Sequence, residues 1–201
     1  RLASPTGQTF EYILGVYGFR LELDRRFERE ICFVDAAPCP PTVTPAPGVT
    51  LPGRLSGAFD ASFENTNLAA FGQGTWNIDD QLAVFAGARL IYEDLSFTSV
   101  RTATPLNAGD PPLGPFFDES GGFDDTALAG RVGVTYRPNE DVNLYASYNR
   151  GYKGPTLDLA FVTVPDRVEA ETSDAFELGF KSVLADDTLQ LNIALFHALY
   201  E

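Results

Sequence analysis

The 201-residue chain carries 28 Asp and Glu against 14 Lys and Arg, a formal net charge of −14, which argues against nucleic acid as a partner because phosphate binding needs clustered cations. Its 18 Gly, 16 Phe and 8 Tyr, beside one Trp, one His and no Met, favour strands and turns over long helices. No stretch reaches the roughly 18 consecutive apolar residues that a membrane-crossing helix requires, which leaves a soluble β protein or a membrane β-barrel.

The chain opens at Arg1 without a charged and then apolar leader, and ends at Glu201 inside a strand-like pattern. It therefore reads as an internal piece of a longer polypeptide or a processed fragment. One strand is expected from about Thr9 to Phe27, although Ile13, Leu14, Val16 and Tyr17 blur its alternation. Cys32 and Cys39 follow in a Pro-rich stretch whose composition suits a loop. There a local disulfide, formed in an oxidising compartment, is favoured over two free thiols, and with no His nearby a zinc site is not expected.

From Leu68 the residues alternate in steps of two. Leu68, Ala70, Gly72, Gly74, Trp76 and Ile78 share one face, and Ala69, Phe71, Gln73, Thr75 and Asn77 share the other. Asp79 and Asp80 make a turn, and Leu82, Val84, Ala86, Ala88, Leu90 and Tyr92 continue the apolar face against Arg89 and Glu93. The same hairpin recurs around Pro138-Asn139-Glu140-Asp141, with Leu128 to Tyr136 before it and Val142 to Tyr148 after it. A third copy turns at Ala185-Asp186-Asp187, between Phe176 to Phe180 and Leu189 to Leu195. The acidic residues of these turns are ordinary turn formers in separate turns, so no metal site is expected of them.

Connection lengths alternate as regularly as the residues. The turns near Asp79, Asn139 and Asp186 are short, whereas residues 28–65, 99–124 and 153–171 are long and rich in Pro, Gly and Asp. Putting every long loop at one end is the habit of an outer-membrane barrel, with short periplasmic turns and long external loops. The expected fold is all-β: about seven strands of an antiparallel transmembrane barrel, each run long enough to cross the hydrocarbon. Trp76, Tyr136, Tyr148 and Tyr200 fall near strand ends, where an interfacial girdle would lie.

The face opposite the lipid collects Gln73, Arg89, Glu93, Arg131, Arg137, Glu177 and Lys181. Of these Arg89, Glu93, Arg131, Arg137, Glu177 and Lys181 are the candidate lumen lining, as a cross-strand charge ladder. Phe116 and Phe117, in the segment Ala103 to Gly122, and Tyr152 and Lys153, in the segment Arg150 to Asp158, lie where a ligand would first be met. His197 has no Ser or Cys arranged around it, and Gly72-Gln73-Gly74 sits within a strand instead of at a strand-to-helix turn. Neither points to catalysis or to a phosphate loop, so no enzymatic activity and no cofactor are expected.

The segment from Asn67 to Glu201 resembles the barrel of a TonB-dependent outer-membrane receptor. The likeness is carried by "LAAFGQGTWNIDDQLAVFAGARLIYE", by "GRVGVTYRPNEDVNLYASYNRGYKGPTLD" and by "VEAETSDAFELGFKSVLADDTLQLNIALFHALYE". The resemblance implies energy-coupled uptake of a scarce, bulky nutrient such as an iron-siderophore complex at the bacterial outer membrane. It implies outer-membrane lipid, a plug domain, further barrel strands, the TonB energy-transducing complex and a small-molecule ligand as partners. Barrels of that type have about 22 strands, so residues 1–201 read as a partial barrel with no plug domain of its own. A passive porin-like channel and a soluble β-sandwich binding module are the alternative readings.

Overall fold

The computed structural model describes residues 1–32, 54–102, 105–106, 108–158, 166–184 and 188–201. Its strands are β1 (Leu2–Ala3), β2 (Phe10–Cys32), β3 (Arg54–Asn77), β4 (Leu82–Arg101), β5 (Phe117–Asn139), β6 (Val142–Lys153), β7 (Thr156–Asp158), β8 (Asp166–Val168), β9 (Glu171–Leu184) and β10 (Leu189–Tyr200). Eight of them form one antiparallel sheet in the order β1-β2-β3-β4-β5-β6-β9-β10, and β7 and β8 form a separate small hairpin. The seven long strands match the seven expected; β1 and the β7–β8 hairpin are additions.

The short turns hold as read. Asp79 Oδ1 accepts hydrogen bonds from the backbone N–H of Gln81 at 2.8 Å and of Leu82 at 2.7 Å, which ties the β3–β4 turn by its own side chain. Asn139 Oδ1 does the same for the Asp141 N–H at 3.1 Å, beside a register irregularity between Tyr136 and Asn139. The turn at Ala185 to Asp187 and the Cys39 end of the expected disulfide lie outside the described residues.

Register aligns the apolar positions of separate strands into one band. Leu14, Gly72, Ala88 and Gly130 are cross-strand neighbours, as are Val16, Ala70, Leu90 and Leu128. Toward the β10 edge of the same face Ala146, Leu178 and Leu195 form a similar row. This band is the exposed face: Leu68 and Leu90 are 51% and 55% exposed, whereas the very next residues, Ala69 and Ile91, are each 7% exposed. In water such an arrangement would be inverted, because apolar side chains gain about 1.5–3 kcal/mol each on leaving it. Lipid on that face removes the contradiction.

The strands are longer than their apolar runs. Residues 28–65 and 99–124 were expected as loops, yet β2 continues to Cys32, β3 starts at Arg54, β4 reaches Arg101 and β5 starts at Phe117. The reason is a reversal of polarity along each strand. The outer-face row Gly18–Leu68–Tyr92–Thr126 is the last apolar one; the next is Arg20–Thr66–Asp94–Asp124, and farther on comes Arg26–Asp60–Val100–Asp118. Over the same stretch the inner face turns apolar, in the rows Leu21–Asn65–Leu95–Phe123 and Leu23–Phe63–Phe97–Gly121. Below the change the outer apolar runs are about 9–11 residues long, the span of a tilted strand across hydrocarbon. Above it the sheet behaves as a water-exposed sheet with an apolar inside.

Outer-face ion pairs decorate the upper part: Arg26 with Asp60 at 3.0 Å and with Glu28 at 2.8 Å, and Arg20 with Glu22 at 2.9 Å and with Glu64. All of these groups are well exposed, so each pair adds little stability. The buried cluster also belongs to this part, with Phe27, Phe59, Ala61 and Phe117 packed together on the inner face.

Candidate functional site

The inner face is where a solute passing through a barrel would be handled, and its lower part is built by a repeated local device. Phe85 lies over Gly133, and Tyr145 lies over Gly179, each ring covering the spot where the neighbouring strand has no side chain. A cation then stacks on an aromatic ring: Arg131 over Phe85 at 5.5 Å, Lys181 over Tyr145 at 5.4 Å, and Arg89 over Tyr17 at 5.5 Å. Arg131 also donates to Gln73 Oε1, and the Tyr145 hydroxyl donates to Glu177.

The structure thus brings the expected lining residues to one face but not into a charge ladder. Among the described residues none of Arg89, Glu93, Arg131, Arg137, Glu177 and Lys181 forms an ion pair with another of the six. Register explains it for the two central arginines: Arg89 stands beside Phe71 and Ala129, and Arg131 stands beside Gly87 and Asn149, so neither has an acid directly across from it. Arg137 lies apart at the short-turn end, where its backbone N–H donates to the Gln81 carbonyl at 2.7 Å.

Toward the long-loop end the inner face closes over. Arg101, 1% exposed, extends its guanidinium between two rings, 5.2 Å from the centre of Phe59 and 5.1 Å from that of Phe117. Phe27 stacks on Phe59 at 4.5 Å. These four residues are one cross-strand row, Phe27–Phe59–Arg101–Phe117. The connection from β4 to β5 folds back onto them. Where β4 ends, residues 111–113 take its place beside β3: the Ser56 N–H donates to the Pro111 carbonyl at 3.3 Å, and the Leu113 N–H donates to the Ser56 carbonyl at 2.9 Å. Ser56 Oγ bonds Asp110 at 2.8 Å and Arg101 Nη1 donates to the Leu113 carbonyl at 3.2 Å, which buries Leu113. Gly109 at φ +90° and Gly114 at φ +85° supply the left-handed backbone at both ends of this strap.

Of the residues expected to meet a ligand, Phe116 is exposed, whereas Phe117 is a strand residue, 4% exposed, in the Arg101 cluster. The expected loop placement of Phe117 is corrected by the early start of β5. Lys153 pairs with Glu171 across β6 and β9 at 3.0 Å. Tyr152 is half-buried and its hydroxyl lies 2.8 Å from Asp125 Oδ2 and 3.3 Å from Glu93 Oε2. Asn67 Nδ2 donates to the same Glu93. The β7–β8 hairpin leans inward as well, with Arg167 4.5 Å from the ring centre of Phe123.

Sequence reasoning missed Phe27, Phe59, Asn67, Arg101 and Asp125. The available signal was phase: all five are odd-numbered, as are Gln73, Arg89 and Arg131 on their strands' inner face. His197 falls on the outer row Tyr148–Phe176–His197, on the lipid-facing side of the sheet and away from the inner-face residues.

A sheet with its apolar band outside, a cation-and-aromatic interior and loops folded over one mouth is the wall of an outer-membrane barrel. The family model for the TonB dependent receptor-like β-barrel matches residues 3–201. The chain belongs to the TonB-dependent receptor β-barrel family. Three solved receptors agree in fold. The ferric yersiniabactin uptake receptor FyuA from Yersinia pestis matches with a TM-score of 0.67 at 18% identity, over 98% of this chain and 27% of that one. The ferric-catecholate import receptor Fiu from E. coli K12, in its open form, matches with a TM-score of 0.64 at 18% identity, over 99% and 29%. The siderophore receptor PiuA from Acinetobacter baumannii matches with a TM-score of 0.59 at 17% identity, over 96% and 29%. The chain therefore spans less than a third of the receptors it matches, and its sheet is an open arc of a TonB-dependent receptor barrel in the outer membrane.

Proposed function

We propose that this arc is the ligand-admitting wall of a receptor that takes up a scarce chelated nutrient of the iron-siderophore class across the bacterial outer membrane, with energy delivered through TonB. The observation that carries the reading is the reversal of polarity between the rows of Tyr92 and Asp94. It supports a lipid-embedded wall that continues upward into a water-exposed collar whose inside is apolar and aromatic, with loops folded over it. A bulky solute carrying aromatic groups around an anionic core fits a collar lined by Phe63, Phe97, Phe123 and cations. The names of the matched receptors point to the same ligand class.

In this reading the cation-over-aromatic pairs of the lower inner face meet a plug domain, and the remaining strands close the arc, because hydrocarbon does not tolerate open sheet edges. The role is transport, not enzymatic catalysis. The test is uptake of radiolabelled iron by cells whose other siderophore receptors are deleted, with the full-length gene supplied. Uptake that requires both the gene and an intact TonB complex supports the reading. A steady open conductance in planar bilayers, with TonB-independent uptake of small solutes, would replace it with a passive channel.

A further inference from the structure

Strand β6 leaves the wall before its neighbour does. The pairing of β5 with β6 stops at Gly130–Arg150, whereas β5 goes on pairing with β4 as far as Phe117–Arg101. Beyond Arg150 the end of β6 turns to the inside of the sheet. There the Tyr152 hydroxyl meets Asp125 and Glu93, and the Gly154 backbone lies against the Glu93 carboxylate. The upper part of β5 is thereby left with one paired edge and one open edge.

The ladder sets which backbone groups face that opening. The Arg137 N–H donates to the Gln81 carbonyl on the β4 side, and backbone groups point to alternate sides from one residue to the next. Odd-numbered residues of β5 therefore bond toward β4, and even-numbered ones aim their N–H and C=O at the opening. Thr126 agrees: its N–H meets no strand and is taken by Asp125 Oδ1 at 2.9 Å. Farther up, Asp118, Ser120, Gly122 and Asp124 each present an N–H and a C=O, and among the described residues no strand stands opposite them. All four are exposed.

Such edges are commonly guarded by Lys, Pro or a bulge. The run from Asp118 to Asp124 has none of these; its charges are Asp118, Glu119 and Asp124. On the outer face Asp124 stands directly across from Asp94, and among the described residues no ion pair reaches either one. Like charges so placed repel, and a cation on an added strand beside Asp124 relieves them. An acidic edge repels acidic strands and admits basic ones. Strands that close the arc add at its ends, β1 and β10, so they do not fill this position.

We propose that the β5 edge from Asp118 to Asp124 docks an extended, basic peptide segment of another protein, which joins the sheet as an added strand above the lipid band. Backbone pairing supplies the affinity, and Lys or Arg at alternate positions of the segment meets Asp118 and Asp124 on the outer face.

The test uses the full-length receptor in detergent and a fluorescein-labelled peptide of alternating Lys and Thr, followed by anisotropy. The peptide should bind saturably. The same peptide N-methylated at every residue keeps its charge but loses its donors, and should not bind. Ser120→Pro removes one edge donor and leaves the ladder to β4 intact, so it should melt close to the parent yet bind at least about tenfold more weakly. Asp118→Asn with Asp124→Asn should weaken binding at low salt and change it little at high salt, where screening has already removed the charge contribution. Equal binding of the methylated and unmethylated peptides means that charge alone holds them, and overturns the proposal. So does a folded Ser120→Pro receptor that binds as the parent does, or a parent that shows no saturable binding at low salt. The methylated peptide decides the question on the parent receptor if Ser120→Pro does not fold, and the readout does not depend on what the receptor transports.

Discussion

Arg131 and Val132 are adjacent in β5, yet they occupy different solvents: Arg131 stacks on Phe85 on the inner face, and Val132 lies on the outer band between Ala86 and Tyr148. Val132 is near the middle of the apolar run that extends from Leu128 to Tyr136, so Val132→Arg puts a charge close to the bilayer midplane. The cost of that charge is about 2–4 kcal/mol on the lipid face of a barrel. Losing the contact of Val132 with lipid adds about 1.5 kcal/mol. The sum, about 3.5–5.5 kcal/mol, shifts the folding equilibrium by roughly two and a half to four powers of ten. Ser147→Lys is the control: it adds the same charge on the inner face, directly across from Glu177, and should change stability by less than about 1 kcal/mol. Both variants of the full-length receptor are folded into liposomes and unfolded with denaturant. If Val132→Arg is no more destabilising than Ser147→Lys, the outer band does not face lipid and the assignment of faces is wrong.

Glycine substitutions should rank by what their new methyl group meets. At Gly133 it would lie 2.4 Å from the Phe85 ring and 2.7 Å from the backbone carbonyl of Ala146, whereas at Gly179 only the movable Tyr145 ring is in the way, at 2.1 Å. Gly133→Ala should therefore lower the denaturation midpoint more than Gly179→Ala, and equal midpoints would count against the packing of rings over glycines. Phe59→Ala removes the ring that Arg101 and Phe27 stack on and should cost about 3–5 kcal/mol; limited proteolysis should then cut residues 102–116 faster than in the parent. Asp79→Ala strips two backbone N–H groups of their acceptor in the β3–β4 turn and should cost about 1–2 kcal/mol, read as a slower appearance of folded receptor in a refolding assay.

How much was legible in the sequence follows from where each signal is stored. Alternation in steps of two is local, so the lipid-facing band from Leu68 through Leu195 and the turns at Asp79 and Asn139 could be read from neighbouring residues alone. The alternation of short turns with long connections then fixed the barrel class and its sidedness, and family phrases such as Glu177 to Lys181 agreed with both. The inner-face membership of Arg89, Arg131, Glu177 and Lys181 follows from the same phase.

Tertiary structure decided the rest, for two physical reasons. Strands that leave the bilayer exchange lipid for water on the outside, so the apolar side of the alternation changes hands between Tyr92 and Asp94; a reading tuned to apolar-out positions ends the strand there, although β4 goes on to Arg101. Register is the second: which residue of β4 stands opposite which residue of β3 and β5 is set by pairing across the whole sheet. Only that pairing stacks cations on rings instead of acids, slides Arg101 between Phe59 and Phe117, and brings Asn67, Glu93 and Asp125 into line under Tyr152.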